Sequence, residues 1–306
     1  MNDTNASQLL EVGGASSTLR PISMADRARS LGLWSFLIIT LIFFLTPLYV
    51  MVITSLKTMP EIREGRIFSL PLELTFRPWV QAWSEICTGL TCEGISRGFW
   101  NSMRIMIPAT LISVTIGALN GFALAFWRSK GSEALFALLL IGAFIPYQLF
   151  IYPLSIGLSK VHLTGTLAGI VFVHVIFGLP ITTLIFRNFY SGVPAELVKA
   201  ARVDGAGFWR IFWSIILPMS GPALVVATIL QATGVWNDYL LSLIFAGRDN
   251  QPMTAQLNAL VNTRMGERPY NIHMAATLLT AMVPLIIYFT SGRWFVRGIA
   301  AGAVKG

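Results

Sequence analysis

Charge is what this sequence lacks most. Only 12% of its 306 residues are Asp, Glu, Lys or Arg, about half the share of an ordinary soluble domain. Length alone would suggest two soluble domains. With 55% hydrophobic residues, 20 Phe, 9 Trp and a mean hydropathy of +0.67, too few charges remain to coat a water-facing surface of that size. Most of the surface must face lipid, and disorder, collagen and coiled coil are excluded on the same numbers. Histidine is scarce, and His162, His174 and His273 are far apart. The two cysteines, Cys87 and Cys92, have a spacing that is not a zinc spacing, so no metal site is expected. There is no GxxxxGK[ST], no HExxH and no GxSxG, which removes P-loop ATP hydrolysis and two common hydrolytic chemistries. No Asp or Glu falls in the middle of an apolar run; Glu133 and Asp238 sit near ends. The paired intramembrane carboxylates of a proton or cation pathway are therefore missing. If the chain moves a solute, the energy comes from elsewhere.

What is present is six apolar runs of spanning length, for which about 20 residues suffice: Leu31–Thr54, Phe99–Trp127, Ala134–Pro153, Leu167–Phe186, Gly221–Phe245 and His273–Gly292. The expected fold is an all-α polytopic membrane protein with six transmembrane helices. Residues 1–30 form an N-terminal tail, residues 31–292 the membrane domain and residues 293–306 a C-terminal tail. The tail carries Arg20, Arg27 and Arg29 and no short apolar run before a small-residue cleavage site, so the first helix reads as an uncleaved anchor. Net charge is +8. The basic residues lie in short segments between apolar runs, with no basic stripe or binding motif, so no nucleic-acid partner is expected. With the N-terminus inside, the inner segments hold twelve Lys and Arg against nine in the outer loops, a bias toward an N-in, C-in topology.

Residues 55–98 then form a long outer loop that carries Cys87 and Cys92. They are either two free thiols or a disulfide, the latter favoured if the loop lies in an oxidising compartment. Residues 187–220 form the only long inner loop, which asks for a soluble partner. Each span has a proline in it or at its edge (Pro47, Pro108, Pro146, Pro153, Pro180, Pro222, Pro284). This reads either as ordinary tolerance in membrane helices or as a bundle built to flex. Ser113, Gly117 and Gly121 line one face of the second helix, and Gly165 and Gly169 stand at the same spacing at the start of the fourth. Such faces let helices approach closely.

The inner loop reads VPAELVKAARVDGAGFWRIFWSIILP over residues 193–218. Pro194 suits a first helical turn and Glu196 the positive end of a helix. Lys199 and Arg202 lie toward the C-terminal end, and Ala200 and Ala201 offer a small flat patch. Gly205 permits the backbone angle that ends a helix. A second apolar stretch, Phe208–Leu217, follows and meets Pro218. A short helix, a turn and a second helix at the membrane surface are predicted, fit either to lie in a groove on a partner or to rest on lipid headgroups.

This loop resembles the signature loop of ABC importer permease subunits: EAA, three residues, Gly, nine residues, then I-x-L-P. Ala200, Ala201 and Gly205 match, Ile215, Leu217 and Pro218 follow at the family spacing, and Asp204-Gly205-Ala206 matches the common DGA variant. Lys199 departs from it, standing where the family usually has Glu. The resemblance extends over most of the chain. It takes in Asn101-Ser102, Gly121-Phe122-Ala123-Leu124-Ala125, Leu163-Thr164-Gly165-Thr166, Trp236-Asn237-Asp238-Tyr239 and the terminal Gly302-Ala303-Val304-Lys305-Gly306. The sequence is similar to the second permease subunit of maltose-type carbohydrate importers. Residues 251–254, 270–271 and 274–276 resemble the glucose- and mannose-type permeases, which favours a monosaccharide over a maltodextrin.

The resemblance implies a type I ABC importer permease fold in a bacterial inner membrane, surrounded by lipid. It also implies a second permease subunit, an ATPase dimer that holds ATP and Mg, and a periplasmic or lipid-anchored sugar-binding protein. This chain would bind no cofactor and have no catalytic site of its own. Residues 194–218, with Glu196, Lys199, Ala200, Ala201, Asp204, Gly205 and Ala206, would couple it to the ATPase. Val304–Gly306 either reaches the ATPase dimer or forms a loose tail. A neutral polyol needs hydrogen-bonding groups and aromatic faces in a wet cavity. The candidates are Asn120, Tyr147, Gln148, His174, Gln231, Trp236 and Asn237, each of which could instead make an interhelical hydrogen bond. A secondary transporter or channel would also use six kinked helices, yet leaves the inner loop and GAVKG without a role. A membrane enzyme or scaffold would need a reactive cluster that the sequence does not contain.

Overall fold

The computed structural model describes residues 24–87, 92–127, 131–262 and 268–303, and among them there is no strand. Helix α1, Met24–Ser55, has Pro47 inside it. Its portion up to Val50 is a compact unit by itself, and residues from Met51 onward form the second. Helix α1 is apolar enough along its length to cross a membrane.

The second unit starts with the short helices α2 (Met59–Arg63) and α3 (Arg77–Val80), the latter running into a π turn at Gln81–Glu85. Cys87 and Cys92 are joined in a disulfide, so the second of the two expected arrangements holds. Helices α4 (Ser96–Phe126) and α7 (Leu167–Ser191) are long and apolar enough to span, as are α1 and the Tyr270–Gly292 part of α14 (Tyr270–Ala303). Thr166 opens α7 in extended conformation, its hydroxyl accepting from the Gly169 amide at 3.0 Å. The small residues of α4 do what their spacing predicts. A Cβ on Gly117 would stand 2.5 Å from Thr182 Oγ1, and one on Gly121 2.6 Å from the Phe186 Cβ, so α4 and α7 meet almost backbone to backbone. Gly165 and Gly169 do not form such a face. Gly165 turns the chain at φ +74 beside Gly247, and Gly169 sits under the carbonyl of Leu163.

Two of the six runs are broken. The third was expected over Ala134–Pro153 as one helix. Instead α5 (Ser132–Phe144) stops, Ile145 is extended, Tyr147–Phe150 makes a 3-10 turn, and α6 (Ile151–Lys160) leaves at 100°. Pro146 is the cause: it disfavours helical backbone at the residue before it and offers no N–H. The fifth was expected over Gly221–Phe245. There α11 (Gly221–Asn237) ends at an extended Asp238, and α12 (Leu240–Phe245) begins anew. The Asp238 carboxylate accepts from the amides of Leu241 (3.3 Å) and Ser242 (2.9 Å), supplying the free donors of a helix start. Six spans result if α5 with the Tyr147–Lys160 stretch, and the Phe208–Met219 stretch with α11, each count as one bent span. A further short helix, α13 (Met253–Asn262), precedes α14.

The buried core has two parts. One gathers Ile105, Ile170, Trp236, Phe245, Met253 and Ala275 with their neighbours. The other gathers Phe122, Phe186, Tyr190, Val198, Ile211 and Phe212. The inner loop belongs to the second part, so it is built into the core.

Candidate functional site

The loop after α7 forms α8 (Ala195–Val203), and Pro194 precedes it as the N-cap residue, one position earlier than the first-turn placement. The helix ends as its glycine requires. Gly205 has φ +77, its amide donates to the Arg202 carbonyl (3.0 Å), and the Ala206 amide donates to the Ala201 carbonyl (2.9 Å). This crossed pair of bonds is a Schellman stop, and it needs a residue that adopts left-handed backbone without strain.

One face of α8 is fixed inward. Val198 and Ala201 are buried in the aromatic group around Phe122, which also holds Tyr190, Phe208 and Phe212 at ring-centre distances of 4.9 to 6.4 Å. Arg202 donates to the Phe126 carbonyl at 3.1 Å and lies 3.8 Å over the ring of Trp127. A cation thus meets the negative end of α4 and an aromatic face at once. The opposite face holds Glu196, Lys199, Ala200, Val203 and Asp204, all exposed, with Val203 87% exposed. The expected flat patch of two alanines is corrected here: Ala200 faces out, and Ala201 is turned into the core at 7% exposure. Ala206 is half-buried beside the turn. The second stretch runs as α9 (Phe208–Ile211), a π turn (Phe212–Ile216) and α10 (Leu217–Met219), then bends by 81° into α11. Arg202 was not among the expected site residues; its place in the last turn of a helix, where cations favour the dipole, was the available signal. Val304–Gly306 lies outside the described residues.

Of the seven candidate pathway residues, the structure brings four together. Tyr147, His174, Gln231 and Asn237 line one groove of about 350 Å3 with Phe177 and Asp238. Gln231 Nε2 donates to Ser113 Oγ and to the His174 carbonyl, both at 3.2 Å. Gly178 makes room for it, since a Cβ there would stand 2.2 Å from that nitrogen. His174 is 5% exposed, and its Nε2 has no hydrogen-bond partner. The nearest carboxylate oxygen, on Asp238, is 3.8 Å away, beyond hydrogen-bond range. Tyr147 and Phe177 meet edge-on, ring centres 5.9 Å apart.

Three candidates lie elsewhere. Trp236 is 1% exposed and its indole donates to the Thr280 carbonyl (3.0 Å), so it ties α11 to α14. Gln148 is exposed outside the groove. Asn120 lines a separate cavity of about 410 Å3 near the C-terminal end of α4, with Trp127 and Ser132. Asp238, Phe177 and Gly178 were missed. Asp238 sits inside the Trp236–Tyr239 motif, and Gly178 stands four residues from His174, one helical turn on. Among the described residues no cluster of three or more His, Cys, Asp or Glu could hold a metal.

Comparison with known proteins agrees with this geometry. Residues 105–301, more than half of the chain, match the model of the family described as binding-protein-dependent transport system inner membrane component. The chain is 34% identical over 78% of its length to the osmoprotective compounds uptake permease protein GgtD of Synechocystis sp., covering 79% of that protein. It is 31% identical over 85% of its length to the melibiose/raffinose/stachyose import permease protein MelC of Bacillus subtilis, covering 91% of it. In fold it is similar to a crystallised bacterial ABC transporter involved in the import of the acidic polysaccharide alginate. The TM-score is 0.75 at 18% identity, over 89% of this chain and 97% of that one. ATP hydrolysis in this family belongs to a separate ATPase subunit, so no catalytic site is required here. The chain belongs to the binding-protein-dependent transport system inner membrane components and is the multi-pass permease subunit of an ABC importer.

Proposed function

We propose that this permease serves a carbohydrate importer of a bacterial inner membrane, N-terminus and C-terminus inside. In this reading it forms half of the translocation path with a second permease subunit and receives sugar from an extracytoplasmic binding protein. The exposed face of α8 takes up the motion of an ATPase dimer that carries ATP and Mg. The observation that carries the reading is the two-faced seating of α8. Val198, Ala201 and Arg202 lock one side to the core while Glu196, Lys199, Ala200 and Val203 stand free on the other. A helix so held passes on a rigid-body displacement, where a loose loop would absorb it. Exposed Val203, an apolar residue at the tip, suits a surface that another protein covers.

The need for a second membrane subunit is supported by α5, an apolar helix none of whose 13 residues is buried. The carbohydrate reading draws on the name of the MelC relative, which is itself a sugar permease, and on a groove lined by hydrogen-bonding and aromatic groups without Lys or Arg. Lys199 asks for an acidic or neutral contact on the ATPase, because a basic partner there would repel it.

The test is Gly205→Val in the assembled importer. Nothing lies within 4 Å of an added Cβ at Gly205, so crowding is not at issue. The φ of +77 is the obstacle, costing a β-branched residue roughly 1–2 kcal/mol or forcing the turn to change. The variant is expected to insert normally, and to lose most sugar uptake per ATP hydrolysed. Full uptake by Gly205→Val would remove α8 from the coupling path.

A further inference from the structure

The break between α11 and α12 and the kinked third span create something beyond the coupling surface: a small polar recess within this chain. We infer that the groove bounded by His174, Gln231, Asn237, Asp238, Tyr147 and Phe177 is a solute-contact subsite for one neutral polyhydroxylated ring, with His174 Nε2 as its main hydroxyl-binding atom. This deepens the proposed function and rests on its reading of the chain as a sugar permease.

His174 Nε2 is the observation that points to a ligand. A buried nitrogen without a partner is costly, about 1–3 kcal/mol, and such atoms are rare in folded proteins. His174 is 5% exposed, yet Nε2 has no hydrogen-bond partner. The gap to Asp238 Oδ2 is 3.8 Å. That is too long for a direct bond, while one hydroxyl oxygen seated beside both atoms could bond to each. A hydroxyl suits this because it accepts and donates, taking a hydrogen bond from the imidazole N–H and giving one to the carboxylate.

The rest of the lining selects against charge. No Lys or Arg lines the groove, so an anion finds no partner. The one carboxylate is already answered from within the chain: Asp238 Oδ2 accepts from the Ser242 amide (2.9 Å) and the Ser242 hydroxyl (2.8 Å), and Oδ1 from the Leu241 amide (3.3 Å). Its charge therefore does not call for a cation. Tyr147 and Phe177 add apolar ring surface of the kind that covers the C–H faces of a sugar. The volume, about 350 Å3, is at the small end of ligand pockets, which span roughly 300–1,000 Å3. One ring, rather than an extended oligosaccharide, is what such a recess takes. Gly178 is part of the construction, since any side chain there would displace the Gln231 amide.

The experiment uses the complete importer, with partner permease, ATPase and binding protein, in proteoliposomes, and glucose, melibiose and raffinose as probes. The wild type should drive ATP-dependent uptake of at least one. If it moves none, the carbohydrate reading falls and the subsite with it. With a transported probe in hand, His174→Leu and Gln231→Leu should each raise the KM for uptake about tenfold, the loss of roughly one good hydrogen bond. His174→Gln, which keeps a nitrogen donor near Nε2, should stay within about threefold of wild type.

A second readout does not depend on those variants folding. Gly234 lines the groove, is exposed, and has nothing within 4 Å of an added Cβ. The two native cysteines are tied to each other, so Gly234→Cys adds a single thiol. The transported sugar should slow its labelling by a water-soluble thiosulfonate, while sodium chloride and betaine should not. Labelling unchanged by that sugar, or a His174→Leu KM equal to wild type, overturns the subsite even if the permease reading stands.

Discussion

A methyl group added at residue 121 would lie 2.6 Å from the Cβ of Phe186 and 2.8 Å from the Arg187 amide nitrogen. Neither is the yielding end of a flexible side chain, so α4 and α7 would have to part. Gly142, in α5, has nothing within 4 Å of the same added atom. The pair makes a controlled comparison. Gly121→Val should destabilise by about 1–3 kcal/mol, as overpacking does, and lower the unfolding temperature in detergent. Gly142→Val should stay within about 0.5 kcal/mol of wild type. Equal melting of the two variants would deny the close α4–α7 approach. The role of Gly121 was legible from the sequence because Ser113, Gly117 and Gly121 recur at one helical face within a long apolar run. Gly165 and Gly169 share that spacing and do a different job, because Gly165 precedes the N-cap Thr166 and so lies outside the helix. Spacing speaks only where the helix is already known to run through both positions. His174 was legible as a polar residue in a span, but its orphaned Nε2 depends on Asp238, sixty-four residues away in the chain, and no local pattern reports such a pairing.

At the scale of elements, α8 was legible almost residue by residue, since Pro194, Glu196 and Gly205 are local punctuation. Which of its faces looks inward was not, because Ala200 and Ala201 are chemically alike and only the packing around Phe122 distinguishes them. The breaks after α5 and α11 were hidden for a related reason: apolar composition continues through them while the backbone does not. Pro146 carried a signal, but prolines at residues 47, 108, 180 and 284 sit inside unbroken helices, so proline alone does not decide. The seating of α8 can be tested through Arg202. Its bond to the Phe126 carbonyl and its stacking on Trp127 should together be worth about 1–2 kcal/mol. Arg202→Ala should loosen α8 and reduce the sugar moved per ATP hydrolysed while the chain still inserts. Arg202→Lys keeps the charge beside the carbonyl but loses the planar stack, and should fall between the two. An Ala variant that couples like wild type would mean that Val198 and Ala201 hold the helix unaided.

For the whole molecule the question is which side each loop faces, and the two physical arguments are independent. One is electrostatic: the inner segments of an N-in chain carry more Lys and Arg than the outer loops, twelve against nine. That margin is small, because Lys and Arg also serve the outer loop, as where Arg97 pairs with Asp249 at 3.1 Å. The other is redox: the Cys87–Cys92 bond persists outside the cytoplasm and is rare within it. Both support the proposed orientation, with the loop between α1 and α4 outside and α8 inside. The prediction follows in intact spheroplasts. A bulky maleimide that does not cross the membrane should leave Cys87 and Cys92 unlabelled at first, and label both once an impermeant phosphine has reduced them. In a background with both replaced by Ser, Ser191→Cys, exposed one turn before α8, should react only after the cells are broken. Labelling of Ser191→Cys in intact spheroplasts would invert the topology. The exposed face of α8 would then lie where no ATPase works, and the coupling assignment would fail together with the orientation that supports it.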